Sequence, residues 1–550
     1  MMKAAYGIAA LWQLLWEKHA EVKNLIRFFA SGNTEHWNSS DSKDKTANTN
    51  QEEPPGWDTR QKVGLWLGPL LFVLILLFFD PENLSQQGIA ILASTIWIAT
   101  WWITEAIPIP ATSLLPIVLF PLTGGLEIGP TASSYGDDTI FLFMGGFIIA
   151  LAMQRWDLHK RIALAIIAAI GTNTERIVLG FMVATGFLSL WISNTATSMM
   201  MVPIGLAIIY QVSDILKDDD SIDTSPMNFN FGKALMLGIA YSASIGGLGT
   251  LIGTPPNTIF AGMVTELYGI EISFARWMLF GVPIAIVLLL ITWVYLAKFA
   301  FKMKLNQLPG GKKVIQDERK ALGGMSPEEK AVMTIFVLTA FSWITRSFFL
   351  NEIVPGINDA IIAISASIVL FIVPSKRYKG EALIDWDTAK KLPWGILLLF
   401  GGGLAIAAGF VESGLAQWIG EQLTVLDNVP FFVILLSVIT LVIFLTEITS
   451  NTATATMMFP IMASLASALS VHPYSLMIAA GVAASCAFML PVATPPNAVV
   501  FGSGYLRIPD MAKAGVWLNL LSIVVLAIFI YFLLPAVWGI DLTNFPSKFE

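Results

Sequence analysis

Two eleven-residue segments of nearly the same sequence place small hydroxyl and amide side chains inside apolar surroundings. The first reads SNTATSMMMVP (193–203), and the second reads SNTATATMMFP (450–460). Serine, threonine and asparagine offer neutral oxygen atoms, which suit a hard cation, and hydroxyl or amide donors, which suit an anion. Polar groups in apolar surroundings are costly unless they have partners. The two segments therefore predict a site for small ions.

A second motif also occurs twice, as GTPPNTIF (253–260) and as ATPPNAVVF (493–501). Two successive prolines remove two backbone donors and push the preceding threonine out of helical geometry. A helix is expected to unwind at each motif. Carbonyl groups at the end of the helix segment before the break can then coordinate a cation. Free N–H groups at the start of the helix segment after the break can hold an anion.

A purely structural interpretation is the main alternative for each motif alone, since serine and threonine often bond to a helix carbonyl and proline often only kinks a helix. The motifs, however, recur in the same order. One offset of 257 residues relates three pairs: FMGG (143–146) and FGGG (400–403), Ser189 and Thr446, and Ser193 and Ser450. The TPPN motifs are 240 residues apart, counted from Thr254 to Thr494. This order indicates an internal duplication.

The elements that carry these motifs are predicted to be membrane-spanning helices. Only 13% of the 550 residues are charged and 55% are hydrophobic, whereas soluble domains carry about 25% charged residues. Apolar runs such as 63–79 and 520–537 are near the length that a spanning helix needs. Strand-like alternation is absent, which disfavours a β-barrel, and the single cysteine, Cys486, excludes an internal disulfide framework.

The expected fold is an all-α polytopic membrane protein with two inverted repeats. About eleven spans are predicted, near 63–79, 86–106, 108–123, 139–155, 233–268, 275–299, 330–350, 357–373, 393–410, 474–503 and 512–536. Two re-entrant hairpins are expected at about 175–213 and 430–468, and two broken helices at about 233–268 and 474–503. An odd number of spans in each repeat inverts the second one, which places a binding site near the midplane.

The sequence also predicts the domain organisation. An amphipathic helix and a flexible linker occupy 1–60, the first span and first repeat 61–300, a cytoplasmic linker 301–329, the second repeat 330–540, and a tail 541–550. Basic residues cluster in alternate loops, which predicts a cytoplasmic N-terminus and an external C-terminus.

The paired SNT and TPPN motifs, together with WWITEAIPIPATSLLPIVLFP (101–121), resemble the divalent anion/sodium symporter family. That family includes the INDY proteins and the sodium-coupled dicarboxylate, citrate and sulfate transporters. The resemblance covers about 60–540. It implies a homodimer in lipid, in a bacterial inner membrane, with a scaffold part and a transport part that moves like an elevator. No nucleic acid partner is expected.

Carried over position by position, the resemblance implies one sodium site at Ser189, Ser193, Asn194 and Gly253. It implies a second sodium site at Thr446, Ser450, Asn451 and Ala493. It implies an anion site between the hairpin tips at Asn194, Thr195, Thr254, Asn451, Thr452, Thr494 and Pro495. Both segments read SNTAT, with Thr197 and Thr454, where some sodium-independent exchangers of the family carry arginine, and this favours sodium coupling.

Charge leads to the same expectation without the resemblance. No lysine or arginine lies in or immediately beside any of the four motifs, and a dianion at membrane depth needs compensation. Sodium is thus expected as the coupling ion, with no other cofactor. The expected function is sodium-coupled symport of a C4 dicarboxylate such as succinate, fumarate or malate. Sodium-coupled sulfate or citrate transport, anion exchange and a channel of the same fold remain open.

Enzyme chemistry is disfavoured. No GxSxG surrounds Ser193 or Ser450, none of the four histidines stands beside an SNT motif, and metal-ligand spacings are missing. Two acidic residues stay ambiguous. Glu447, just before the second SNT, is either a buried structural acid or a charge that tunes a cation site, and Glu105 is expected to make a span-end or scaffold contact.

Overall fold

The computed structural model describes residues 58–171, 173–216, 223–302, 311–426 and 428–549. Within these ranges the secondary structure is helical apart from isolated bridge residues, which confirms the predicted all-α class. The predicted N-terminal helix and most of its linker lie outside the described residues. Of the predicted cytoplasmic linker, 301–302 and 311–329 are described, and they include one complete helix, Gly311–Ala321, and the start of Pro327–Thr345.

The described chain forms 25 α-helices. The first twelve are α1 Thr59–Phe78, α2 Gln86–Thr104, α3 Ile109–Thr112, α4 Leu115–Thr123, α5 Ile128–Ser133, α6 Asp138–Arg155, α7 Leu158–Ile170, α8 Thr174–Ser189, α9 Asn194–Ile215, α10 Asn230–Gly247, α11 Pro255–Tyr268 and α12 Phe274–Val294. The others are α13 Gly311–Ala321, α14 Pro327–Thr345, α15 Asn351–Ile353, α16 Asp359–Ile372, α17 Trp386–Ala389, α18 Trp394–Glu412, α19 Leu415–Leu423, α20 Phe431–Thr446, α21 Asn451–Ala468, α22 Pro473–Ala484, α23 Pro495–Phe501, α24 Ile508–Ile528 and α25 Leu534–Trp538.

Eight helices of the described chain are long and apolar enough to cross a membrane. They are Thr59–Phe78, Gln86–Thr104, Ile128–Arg155, Asn194–Ile215, Phe274–Ala300, Pro327–Ile353, Trp394–Glu412 and Ile508–Trp538. A ninth is added if Leu415–Leu426 and Phe431–Thr446, bent by 116°, count as one span. The prediction of about eleven spans also counted shorter and interrupted helices, and it placed Asn194–Ile215 in a re-entrant hairpin although this helix is long enough to span. The number of spans remains a prediction.

The two halves of the chain use the same packing around their motifs. We call α8 and α9 helix pair 1, and α20 and α21 helix pair 2. Helix α8 packs against α10, and its counterpart α20 packs against α22. The approach in the first half is close because a Cβ atom added to Gly246 would lie 2.2 Å from the carbonyl oxygen of Gly186. Small residues at such contacts bring the helix backbones near enough to share a site.

Candidate functional site

Both helix pairs break at their SNT motif. Helix α8 ends at Ser189 and α9 begins at Asn194, with Ser193 as the N-cap whose Oγ accepts a hydrogen bond from the amide of Ala196 at 3.3 Å. Helix α20 ends at Thr446 and α21 begins at Asn451. Serine is a preferred N-cap because its side-chain oxygen satisfies a free amide of the first turn. The motif therefore starts a new helix and leaves polar groups at the break.

The TPPN motifs also begin new helices, each after an unwound segment. Loop 1 (248–254) separates α10 from α11, and loop 2 (485–494) separates α22 from α23. Thr254 and Thr494 are extended, with φ of −143° and −142°, and each following proline occupies the first turn of the next helix. Proline suits that position because its fixed φ matches the helix and its missing N–H needs no partner there.

The break in pair 1 and the helix ends around loop 1 together make a cluster of oxygen atoms. Ser189 Oγ donates to the carbonyl of Ala243 at 2.6 Å. The Asn194 amide can be seated in two orientations. With Nδ2 inward it donates to Ser189 Oγ at 2.5 Å, the Ala243 carbonyl at 3.0 Å and the Gly253 carbonyl at 3.2 Å. With Oδ1 inward, four oxygen atoms face one another, and such a set of neutral oxygens suits a cation.

The second half repeats this arrangement. The Thr446 Oγ1 hydroxyl lies 2.9 Å from the carbonyl oxygen of Ala484 and 2.7 Å from Asn451 Oδ1, and its single hydrogen can be donated to either acceptor. In both halves, the hydroxyl of the last residue of the pair's first helix lies beside the side-chain amide of the first residue of its second helix. The same hydroxyl also lies beside a carbonyl of the helix that precedes the loop. Ala493 is buried at the end of loop 2, where its amide donates to the Leu490 carbonyl at 3.2 Å.

The residues expected to bind the anion lie at the same breaks, with unequal exposure. Asn194, Thr195, Asn451 and Thr452 are half-buried, Thr254 and Thr494 are buried, and Pro495 is exposed. In the first half the structure brings Asn194 together with Ser189 and the carbonyl of Gly253, and in the second half it brings Asn451 together with Thr446. The described residues contain no group of three or more His, Cys, Asp or Glu side chains able to hold a metal ion.

Glu447 lies in the break of pair 2 and is 3% exposed. Its Oε1 accepts from the amides of Phe488 and Met489 at 2.7 and 2.9 Å and from Asn519 Nδ2 at 2.8 Å, and its Oε2 accepts from the amide of Leu490 at 3.1 Å. Three consecutive amides of loop 2 thus converge on one carboxylate. These contacts are the kind expected of a buried structural acid that fixes the loop.

Reasoning from the sequence missed three residues at the site. Asn257 and Asn497, the last residues of the TPPN motifs, are fully buried and donate to loop carbonyls; their recurrence was a usable signal. Arg60, at the start of α1, donates to the carbonyl of Ile448 at 3.3 Å. No sequence pattern could place this cation beside the break of pair 2, since 388 positions separate the two residues.

Arg60 also contacts the carbonyl of Ile103 at the end of α2. Nearby, Glu105 ends α2 with a φ of +50°, and its carbonyl accepts from Gln61 Nε2 at 3.2 Å. The expected span-end position of Glu105 is therefore what the structure has, and its carbonyl rather than its carboxylate makes this contact to α1.

Known proteins resemble this chain in sequence and in fold. A protein of Staphylococcus saprophyticus named sodium-dependent dicarboxylate transporter SdcS is 54% identical over 500 residues, which are 90% of this chain and 96% of the relative. A Staphylococcus aureus protein of the same name is 54% identical over 491 residues, which are 89% of this chain and 94% of the relative.

Two solved structures share the fold at low sequence identity. The YdaH transporter of Alcanivorax borkumensis matches with a TM-score of 0.55 at 13% identity, over 86% of this chain and 99% of that one. The MtrF structure of Neisseria gonorrhoeae matches with a TM-score of 0.51 at 14% identity, over 87% and 96% of the two chains. These likenesses concern the fold alone.

The sequence also matches a family model described as the sodium:sulfate symporter transmembrane region, over residues 61–540. The match spans both SNT and both TPPN motifs, and the relatives are transporters, which confirms the prediction of a membrane transporter over an enzyme. The predicted resemblance to sodium-coupled anion symporters is confirmed as well: the chain belongs to the sodium:sulfate symporter family.

Proposed function

We propose that this protein is a secondary active transporter that couples the uptake of a C4 dicarboxylate, such as succinate, fumarate or malate, to sodium. The observation that carries the proposal is the matched pair of oxygen clusters at the two breaks. Both are built from neutral hydroxyl, amide and carbonyl groups, as a hard cation prefers. Two relatives that are 54% identical bear the name sodium-dependent dicarboxylate transporter.

Each cluster is proposed to hold one sodium ion. The first would use Ser189, Ser193, Asn194 and the carbonyl of Gly253. The second would use Thr446, Ser450, Asn451 and the carbonyl of Ala493. The contacts of Asn194 with Ser189 and the Gly253 carbonyl support the first assignment, and those of Thr446 with Asn451 and the Ala484 carbonyl support the second. Two sodium ions balance the charge of one dianion, which offsets the cost of carrying that charge into the membrane.

The dicarboxylate is proposed to lie between the two breaks. Asn194 and Thr195 would donate to one carboxylate, and Asn451 and Thr452 to the other, with Thr254, Thr494 and Pro495 completing the walls. Two polar tips suit a molecule with an anionic group at each end. Sulfate, which the family description names, would need both tips on one small ion, and citrate would add a third carboxylate; both remain alternatives, as do anion exchange and a channel.

The proposal includes the architecture that the family resemblance implies. Helix pairs 1 and 2 are re-entrant hairpins of two inverted repeats, and they move with the broken helices against a scaffold in a homodimer, as an elevator does. The protein is placed in the bacterial plasma membrane with its N-terminus in the cytoplasm. Basic clusters at 154–161, 298–330 and 375–379 support this orientation, since positive loops stay inside.

Uptake of labelled succinate into proteoliposomes tests the function. An inward sodium gradient should drive accumulation above the external concentration, and choline in place of sodium should abolish it. Equal uptake in choline would refute sodium coupling, and uptake that never exceeds equilibrium would indicate a channel. Excess unlabelled malate should compete. Competition by sulfate with none by malate would overturn the choice of substrate.

A further inference from the structure

The side chain of Asn257, the last residue of the first TPPN motif, forms hydrogen bonds with the backbone of loop 1. This side chain is 0% exposed. The amide Nδ2 donates to three carbonyls at or after the end of α10, those of Gly247 at 3.0 Å, Leu248 at 3.3 Å and Thr250 at 2.7 Å. Carbonyls at the C-terminal end of a helix have lost their intrahelical donors. The two hydrogens of this amide are therefore shared among three carbonyls at the start of loop 1, and the Leu248 carbonyl also accepts from Trp277 Nε1 at 3.0 Å.

Asn497 does the same for loop 2. It is also 0% exposed, and its Nδ2 donates to the carbonyls of Ala487 at 3.2 Å and Leu490 at 3.0 Å. The Ala487 and Leu490 carbonyls stand ten and seven residues before Asn497, as the Gly247 and Thr250 carbonyls do before Asn257. The contact is thus a repeated structural device, present once in each half of the chain.

The carbonyls held by Asn257 border directly on the first oxygen cluster. A Cβ atom added to Gly247 would lie 2.7 Å from Asn194 Oδ1 and 3.0 Å from the carbonyl oxygen of Gly253. Gly247 therefore forms part of the wall of the cluster, and Asn257 fixes the direction of its carbonyl. A shift of loop 1 would move Gly247 and the Gly253 carbonyl relative to Asn194, which changes how closely a cation is surrounded.

We infer that Asn257 and Asn497 are positioning residues for the cation sites, each holding its unwound loop in the shape that binds the ion. The ion's identity as sodium rests on the proposed function. An aspartate could not replace either residue, because the oxygen in the place of Nδ2 would face carbonyl oxygens without a hydrogen to share. A leucine of similar volume would keep the packing and remove the donors.

The test compares Asn257→Leu and Asn497→Leu with the control Asn230→Leu. Asn230 also donates its amide to a backbone carbonyl, that of Lys302 at 3.1 Å, but it lies at the opposite, exposed end of α10. Two quantities are measured: the half-saturating sodium concentration for uptake, and the rise in unfolding temperature that sodium causes over choline in detergent. Ligands that bind the folded state raise that temperature according to their affinity.

We expect each variant at the motifs to raise the half-saturating sodium concentration by about tenfold, as the loss of two or three hydrogen bonds allows. The sodium-induced rise in unfolding temperature should shrink accordingly. High sodium should restore the maximal rate, and the KM for succinate at saturating sodium should stay within about twofold, because the loops keep their fold once the ion is bound. The Asn230 control should match the wild type in both measurements.

A purely structural role predicts another result. It lowers the unfolding temperature equally in sodium and in choline and leaves half-saturation unchanged, and that outcome would overturn the inference. If the leucine variants fail to fold, Asn257→Ser and Asn497→Ser are judged by the same criterion. A wild-type protein with no sodium response overturns the proposed function together with this inference, whereas a normal wild-type response with unaltered variants overturns the inference alone.

Discussion

Replacing Glu447 by glutamine tests whether this acid stabilises loop 2 or tunes a cation. The substitution keeps the size of the side chain and one acceptor oxygen. In the best orientation the amide oxygen retains the three bonds at Oε1, from Phe488, Met489 and Asn519. The amide nitrogen then takes the place of Oε2 and points at the amide of Leu490, 3.1 Å away. Two donors face each other, and the half-buried N–H of Leu490 is left unpaired.

The cost follows from these contacts. A buried donor left without its acceptor costs about 1–3 kcal/mol. The three remaining bonds become weaker because their acceptor is no longer charged. Part of this loss is offset because the glutamine buries no ion, so the net loss of stability from these bonds is about 1 kcal/mol. We therefore expect Glu447→Gln to reduce the free energy of unfolding by about 2–4 kcal/mol.

The assay is the unfolding temperature of the purified protein in detergent without sodium, combined with the sodium dependence of uptake. Glu447→Gln should lower the sodium-free unfolding temperature clearly while half-saturating sodium changes less than about twofold, since the carboxylate holds N–H groups and Asn497 still holds the loop carbonyls. Glu105→Gln is the control, because that carboxylate is exposed, and it should behave as the wild type.

The reverse pattern would refute this reasoning. If sodium-free stability is unchanged and half-saturating sodium rises several-fold, Glu447 acts on the bound cation through its charge, which is the alternative that the sequence left open.

Three further predictions concern other parts of the molecule. Asn194→Ala or Asn451→Ala should reduce sodium-driven uptake by at least about tenfold, as loss of a bond to a charged ligand implies, with near-normal expression; intact uptake in either would remove that residue from the site. Arg60→Gln should change the maximal uptake rate by about 2–10-fold with KM unaltered, because the Arg60 contact joins α1 to the carbonyl of Ile448 rather than to substrate; a change in KM alone would contradict this. Burial lowers the pKa of His472 to about 4 from 6.5, with Nδ1 accepting from the amide of Tyr474, so its contribution to stability should be complete above about pH 6.5 and be lost as pH falls from 6.5 towards 4; unfolding temperatures of wild type and His472→Gln across that range should converge at low pH, and parallel curves would disprove it.

The helix breaks could be foreseen from the sequence because their causes are local. Serine caps the helix that follows it, and a pair of prolines starts a helix directly after an extended threonine. The expected breaks near the SNT and TPPN motifs accordingly coincide with helices that begin at Asn194, Pro255, Asn451 and Pro495. Hydropathy is equally local, and composition alone identified an all-helical membrane protein.

The partners of the motif residues could not be foreseen, because those contacts join distant parts of the chain. Ser189 meets the carbonyl of Ala243, 54 residues later, and a carbonyl leaves no trace in the sequence. Glu447 was ambiguous for the same reason, since its role depends on three amides of loop 2 that only folding brings to it.

The sequence by itself thus determined the helical membrane fold, the duplication, and which polar side chains stand at the breaks, because hydropathy, capping and proline geometry act between neighbouring residues. The tertiary structure alone decided which backbone carbonyls complete each oxygen cluster, that Asn257 and Asn497 hold the loops, and that Arg60 reaches the break of pair 2. Those outcomes depend on how α8, α10, α20 and α22 pack against one another, and packing is a property of the whole chain.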